Sequence, residues 1–226
     1  MTAPTPDREP TPVCAGGACC AGNEFGERAV RRDVVRYREH GPDETTRWLI
    51  DGLAAGGVGG MTVLDIGAGI GAVHLALLAD GAASAVDVEG SPAFVTAAAS
   101  EAARQGLAPD RVTRVVGDFV ELADAIEPAD LVALDRVVCC YPDMEQLVAR
   151  SAARARRRYG LVYPRDPAWI RFGGVVFNAA NRLFRQRLRM YIHRTADVER
   201  VLRAAGFTRR SRRTTLIWQV VVFERV

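Results

Sequence analysis

From residue 62 onward, short β-rich apolar runs alternate with stretches of helical periodicity. TVLDI, SAVDV, RVTRVV, LVALD and GLVYP read as strands, and IGAVHLALLAD, SPAFVTAAASEAARQG and MEQLVARSAARARRR read as the helices between them. Strand followed by helix, repeated, predicts a parallel sheet covered on both faces. ADVERVLRAAG predicts a further helix ending at Gly206. FTRRSRR and TTLIWQVVVFERV then lie too close together for a crossover helix, so they pair as an antiparallel hairpin. The expectation is an α/β fold: a doubly wound, mostly parallel seven-stranded sheet whose last strand is antiparallel.

Before that rhythm the chain reads differently. Residues 1–13 are a polar, proline-rich lead-in expected to be disordered, because they cannot assemble a core. Residues 14–58 form a cysteine-containing helical arm, with EFGERAVRRDVVRYREH and DETTRWLIDGLAAG as its two helices. Asp43 is placed to cap the second, since Pro42 cannot continue the first and Thr46 lies three positions on. The main domain then spans 59–226, interrupted at 167–191 by an Arg-rich, aromatic, lid-like insertion.

Composition narrows the chemistry. A length of 226 residues suits one domain with attachments. All 30 basic residues are arginine, which removes lysine Schiff-base chemistry and the lysine-dependent phosphate loop. Charge is uneven: residues 1–150 hold 12 Arg against 23 acidic residues (−11), and 151–226 hold 18 Arg against 4 (+14). That cationic third suits anionic small molecules, nucleic acid or acidic lipid, as well as ordinary solvated faces. No apolar run is long enough to span a membrane and the N-terminus lacks a secretory core, so a cytoplasmic location is expected. There, five cysteines point to free thiols or metal ligands rather than to disulfides.

The candidate chemistry centres on Leu64-Asp65-Ile66-Gly67-Ala68-Gly69-Ile70-Gly71, at the end of the first strand. Its glycines allow a tight turn and close ligand approach, and the following helix offers free N–H groups. GAGIGA also satisfies the dinucleotide pattern G-x-G-x-x-A, so a nicotinamide or flavin enzyme stands open at this point. An acid near the end of the second strand should take ribose hydroxyls. Asp87 and Glu89 both qualify, and Glu89 is preferred for its place just before the Pro92 helix.

The whole of 61–226 resembles the class I S-adenosylmethionine-dependent methyltransferases, with their Rossmann-like fold, through VLDIGAGIG, AVDVEGSPAF, VVGDFVEL, ADLVALDRVVCCYPD and the final β-rich pair. Within that family it looks most like the magnesium-protoporphyrin O-methyltransferase branch, through LDRVVCCYPD and YIHRTADVERVLRAAGF, although Cys140 stands where that branch carries a histidine before Tyr141-Pro142. The resemblance implies S-adenosylmethionine as cofactor. Asp65, Gly67, Ala68 and Gly69 would hold its methionine part, Glu89 and Gly90 the ribose, and Asp118 and Phe119 the adenine, with Asp135 and Arg136 completing the wall. The reaction is an in-line displacement governed by positioning. A carboxylate acceptor needs no base, whereas a phenol, alcohol or amine benefits from one.

The acceptor is expected to be an anionic or aromatic small molecule. Tyr37, Cys140 and His193 are the candidates for orienting or deprotonating it, and Cys140, Tyr141, Arg165, Arg171 and Arg189 for binding it. His74 reads as a helix-face residue. Cys14, Cys19 and Cys20 could meet Cys139 and Cys140 in a soft-metal site, but their spacing matches no standard zinc pattern and no metal is expected. Alternatives are thiol-assisted methylation, a nicotinamide oxidoreductase, or a module binding RNA or protein; nucleic acid is disfavoured. The sequence leaves the oligomeric state open.

Overall fold

The computed structural model describes residues 27–185 and 189–226. The lead-in and Cys14, Cys19 and Cys20 lie outside the described residues. The arm supplies α1 (Glu27–His40) and α2 (Glu44–Ala54). Between them Asp43 caps α2 as its spacing predicts, its Oδ1 accepting the Thr46 N–H at 3.0 Å.

Alternation then continues as β1 (Thr62–Ile66), α3 (Ala72–Ala79), β2 (Ser84–Glu89), α4 (Pro92–Arg104), β3 (Val112–Val116), the short α5 (Phe119–Leu122), β4 (Ala129–Asp135), α6 (Met144–Ala153) and β5 (Ala155–Pro164). Then come α7 (Ala168–Leu183), α8 (Thr195–Ala204), β6 (Phe207–Thr214) and β7 (Trp218–Arg225). The seven strands lie in the order β3-β2-β1-β4-β5-β7-β6. β7 inserts antiparallel between β5 and β6, and β1 to β5 run parallel. This is the expected Rossmann-like sheet. Chain order reverses between β1 and β4, and such a switch point opens a crevice at the carboxyl ends of the strands.

Alternating strand residues feed two core layers. Leu64, Val132, Leu134, Tyr159, Leu161 and Phe223 pack under α6 and α8, while Val63, Leu131, Ala133 and Val222 pack under α2 and α3. α2 is a layer of this core rather than an appendage. Its Leu49 and Leu53 are fully buried, and α2 and β5 approach so closely that a Cβ at Gly160 would come within 2.5 Å of Leu49. Through these residues α2 shares one hydrophobic core with the sheet.

One boundary differs from the sequence pattern. The helical reading of MEQLVARSAARARRR runs too far: α6 stops at Ala153 and residues 155–158 begin β5. Pairing on both sides, to β4 and β7, outweighs the helix preference of arginine and alanine. Buried Arg158 then donates to the carbonyl oxygens of Leu53 and Gly57, tying α2 to the strand.

Candidate active site

At the carboxyl ends of β1, β2 and β4 lies a cavity of about 450 Å³. The turn after β1, the end of β2, the turn after β3 and the 135–141 segment form its floor, and α1 with the α1–α2 turn closes one side.

The turn after β1 needs glycine. Gly67 and Gly69 adopt φ of 64° and 57°, and a Cβ on Gly67 would fall 2.6 Å from Val137. Space beside Gly69 is open, so it is backbone conformation alone that fixes glycine there. Glu89 locks this turn to the end of β2: Oε2 accepts the Gly69 N–H at 3.0 Å and Oε1 the Ser91 N–H at 2.8 Å. Burial pushes the Glu89 carboxyl up, opposed by those same N–H groups. A carboxylate offers about four lone-pair sites, so two remain for a ligand. Asp118 caps α5 through the Val120 N–H at 2.8 Å and accepts the Tyr141 hydroxyl at 3.2 Å. Burial and this acid raise the Tyr141 phenol, which therefore holds its proton.

Behind the glycine turn lies a second polar group that does not touch the cavity. Asp65 and Asp87 are register partners on β1 and β2. His74, on the buried face of α3, sets its Nδ1 2.9 Å from Asp65 Oδ2, and its backbone N–H donates to the same oxygen at 3.2 Å. Burial pushes Asp87 up to about 7, with His74 opposing and Asp65 reinforcing.

The end of β4 carries a strained residue. Arg136 has φ of 61°, a conformation costing a bulky side chain on the order of 1 kcal/mol or more. Its guanidinium reaches Asp43 Oδ2 at 2.6 Å, Asp135 Oδ1 at 3.0 Å and Thr46 Oγ1 at 2.8 Å. One side chain thus binds the α1–α2 turn to the sheet end. Against some opposition from burial, the Thr46 N–H and Arg136 hold the Asp43 carboxyl well below its usual range. Cys139 and Cys140 are free thiols with sulfurs 3.8 Å apart, and their mutual hydrogen bond pushes Cys139 up and Cys140 down. Among the described residues no group of side chains is arranged to hold a metal ion.

Gly67, Ala68, Gly69, Glu89, Gly90, Asp118, Phe119, Asp135, Arg136, Cys140, Tyr141 and Tyr37 all reach the cavity wall. Asp65 does not: it faces His74 beneath the turn, because strand alternation carries its side chain into the helix layer. His193 also stands off the wall. Its Nε2 lies 3.0 Å from the Tyr141 carbonyl oxygen, so that nitrogen carries the hydrogen and the ring braces the 139–141 segment from behind. Burial pulls its pKa down. Arg165 donates to the carbonyl oxygens of Thr215 and Leu216, and neither it nor Arg171 nor Arg189 lines the cavity. Among the described residues, the 167–191 insertion contributes none to this cavity's wall. The basic side chains that do line it, besides Arg136, are Arg32 and Arg36 of α1, beside Asp33 and Tyr37. Their i, i+4 spacing was the available signal, masked by an arginine-rich helix that reads as solvated on all sides.

The cavity's donor set fits an adenosyl group. Ile66, Val88, Phe94 and Leu147 give it apolar walls, while Glu89 and Asp118 stand apart as acceptors for hydroxyl and amino donors. Comparison with known proteins agrees. Residues 63–160 match the methyltransferase domain family. No curated protein matches. Among solved structures, the chain is similar to magnesium protoporphyrin IX methyltransferase from Synechocystis PCC 6803 with bound S-adenosylhomocysteine, at 21% identity and a TM-score of 0.71, over 91% of this chain and 98% of that one. It is similar to an O-methyltransferase family protein from Burkholderia thailandensis (16%, TM-score 0.67, 91% and 61%). A third is an O-methyltransferase family 2 protein from Planctomyces limnophilus DSM 3776 in complex with apigenin (18%, TM-score 0.63, 89% and 62%). At these identities the structural likenesses establish the fold.

Proposed function

We propose that this chain, whose residues 63–160 match the methyltransferase domain family, takes S-adenosylmethionine as its cofactor and methylates an anionic or aromatic small molecule whose attacking atom carries its own negative charge. This displaces the nicotinamide reading of the glycine turn. The turn at Gly67 to Gly69, Glu89 and Asp118 would hold the cofactor, which supplies an electrophilic methyl on a sulfonium sulfur. Asp65 would act one layer back, fixing the turn through His74.

The observation that carries the acceptor reading is the wall itself. No histidine lines the cavity, and Tyr141 keeps its proton, so neither removes one from an acceptor. Arg32 and Arg36, 75% and 59% exposed at the cavity mouth, can receive a carboxylate or a similar anion. Tyr37 offers a ring beside them, and Cys140 a thiol near the 136–141 turn. The chain's own part is to align acceptor and cofactor and to exclude water. The magnesium-protoporphyrin and apigenin likenesses support a small-molecule acceptor of this kind.

The test is transfer of label from methyl-labelled S-adenosylmethionine into fractionated cell extract. Label should enter an acidic small molecule. Arg36→Gln should raise the acceptor KM on the order of tenfold, the worth of one charged hydrogen bond, with S-adenosylhomocysteine affinity unchanged. Label confined to RNA or protein would overturn the proposal.

A further inference from the structure

α7 has two faces, and only one is used. Ile170, Gly174 and Asn181 turn inward. Gly174 packs so closely on Ile192 that a Cβ would come within 2.9 Å, and the Asn178 amide exchanges two 2.8 Å hydrogen bonds with the Met190 backbone. That inner face belongs to the segment bracing Cys139 to Tyr141, where the Tyr191 N–H donates to the Cys139 carbonyl oxygen.

The outer face is apolar. Trp169, Phe172, Val175, Val176 and Leu183 recur at helical spacing and are 54, 70, 66, 51 and 78% exposed, with Phe184 at 72%. A contiguous exposed stripe of this kind marks an interaction surface. At 100° per residue Arg171 and Arg182 fall together along one edge of it. Between Asp166 and Asp197 the sequence holds six arginines and no acidic residue. The 215–217 hairpin tip, tied to Arg165 three residues before α7, adds exposed Leu216 and Ile217.

We propose that the outer face of α7 docks on an anionic lipid surface, lying in the plane of the interface with its apolar side chains among the acyl chains and its arginines at the headgroups. No helix of the described residues is long and apolar enough to cross a membrane, so this is surface attachment. Charge selects the occupant. A second copy would bring two arginine-edged faces together without a carboxylate between them, whereas an anionic bilayer complements both the stripe and its rim. The proposal is independent of the acceptor assigned above.

Sedimentation with vesicles tests it, comparing pure phosphatidylcholine with phosphatidylcholine containing one third phosphatidylglycerol. The chain should sediment with the anionic vesicles only, and less so as salt is raised. Arg171→Gln with Arg182→Gln should weaken binding about 25-fold, at roughly fivefold per arginine near an anionic surface. Phe172→Ser should weaken it about tenfold or more. Both changes are at exposed positions, and unaltered thermal unfolding confirms that the variants fold. Absence of sedimentation, or equal binding by the variants, overturns the proposal. So does a concentration-dependent dimer in analytical ultracentrifugation that Phe172→Ser abolishes, which would assign the face to a second copy.

Discussion

Two acids two positions apart on β2 divide the labour at the cavity. Glu89, at the strand end, meets the glycine turn and the cavity, while Asp87 is sealed behind it with neither carboxylate oxygen hydrogen-bonded. Its place at the strand end, just before the Pro92 helix, is the sequence signal that favours Glu89 over Asp87, and Glu89 is the one of the two that lines the cavity. The fate of Asp65 was not legible, because its contact depends on His74 folding back from α3. Burying Asp87 has a pH signature. Its carboxyl titrates at about 7 in the fold against a reference of 3.8, so between those values the folded chain holds a proton that the unfolded chain has released. Stability therefore falls as pH rises from about 4 to about 7 and is then level, the full cost reaching roughly 4 kcal/mol. Asp87→Asn should flatten that slope in urea denaturation. It should make the protein more stable than wild type above neutral pH, the advantage shrinking as pH falls.

At the scale of elements, α1 is held by few but strong ties. The fully buried Glu101 carboxylate of α4 accepts from Arg38 of α1 at 2.6 Å and from Arg104 at 2.7 Å, and Asp43 below α1 is gripped by Arg136. Against the opposing effect of burial, Arg38 and Arg104 keep Glu101 below the usual glutamate range, so this tie is complete at neutral pH and is lost in acid. Glu101→Ala should release α1, speeding amide exchange over 27–40 by on the order of tenfold to a hundredfold, as expected for losing about 1.5–3 kcal/mol of charged hydrogen bonding. Exchange in β1 and β4 should change little. The alternating strands and helices, the Asp43 cap and the final hairpin were all written in local pattern. The start of β5 and the inward role of α2 were not, because both are decided by partners distant in sequence, as when Arg158 satisfies carbonyls of α2.

Over the whole molecule, the basic C-terminal third resolves into two populations. Many of its arginines are structural. Arg225 donates to the carbonyl oxygens of Ala152 and Ala155 and lies over Phe207, Arg203 and Arg209 pair with Glu199, and Arg213 stacks on Trp48. Arg171 and Arg182 border an exposed apolar helix instead, and charge counting could not separate the two sets. Arginine suits the first role because its planar fork reaches several carbonyls at once. The acidic N-terminal part meanwhile builds the cavity, where we propose that Glu89 couples the glycine turn to a bound nucleoside. Isothermal titration of S-adenosylhomocysteine into the wild-type chain and into Glu89→Gln tests this most directly. One site per chain, weakened on the order of tenfold to a hundredfold in the variant while its melting temperature holds, is the predicted result. No binding to the wild type, or equal affinity in both, would contradict it.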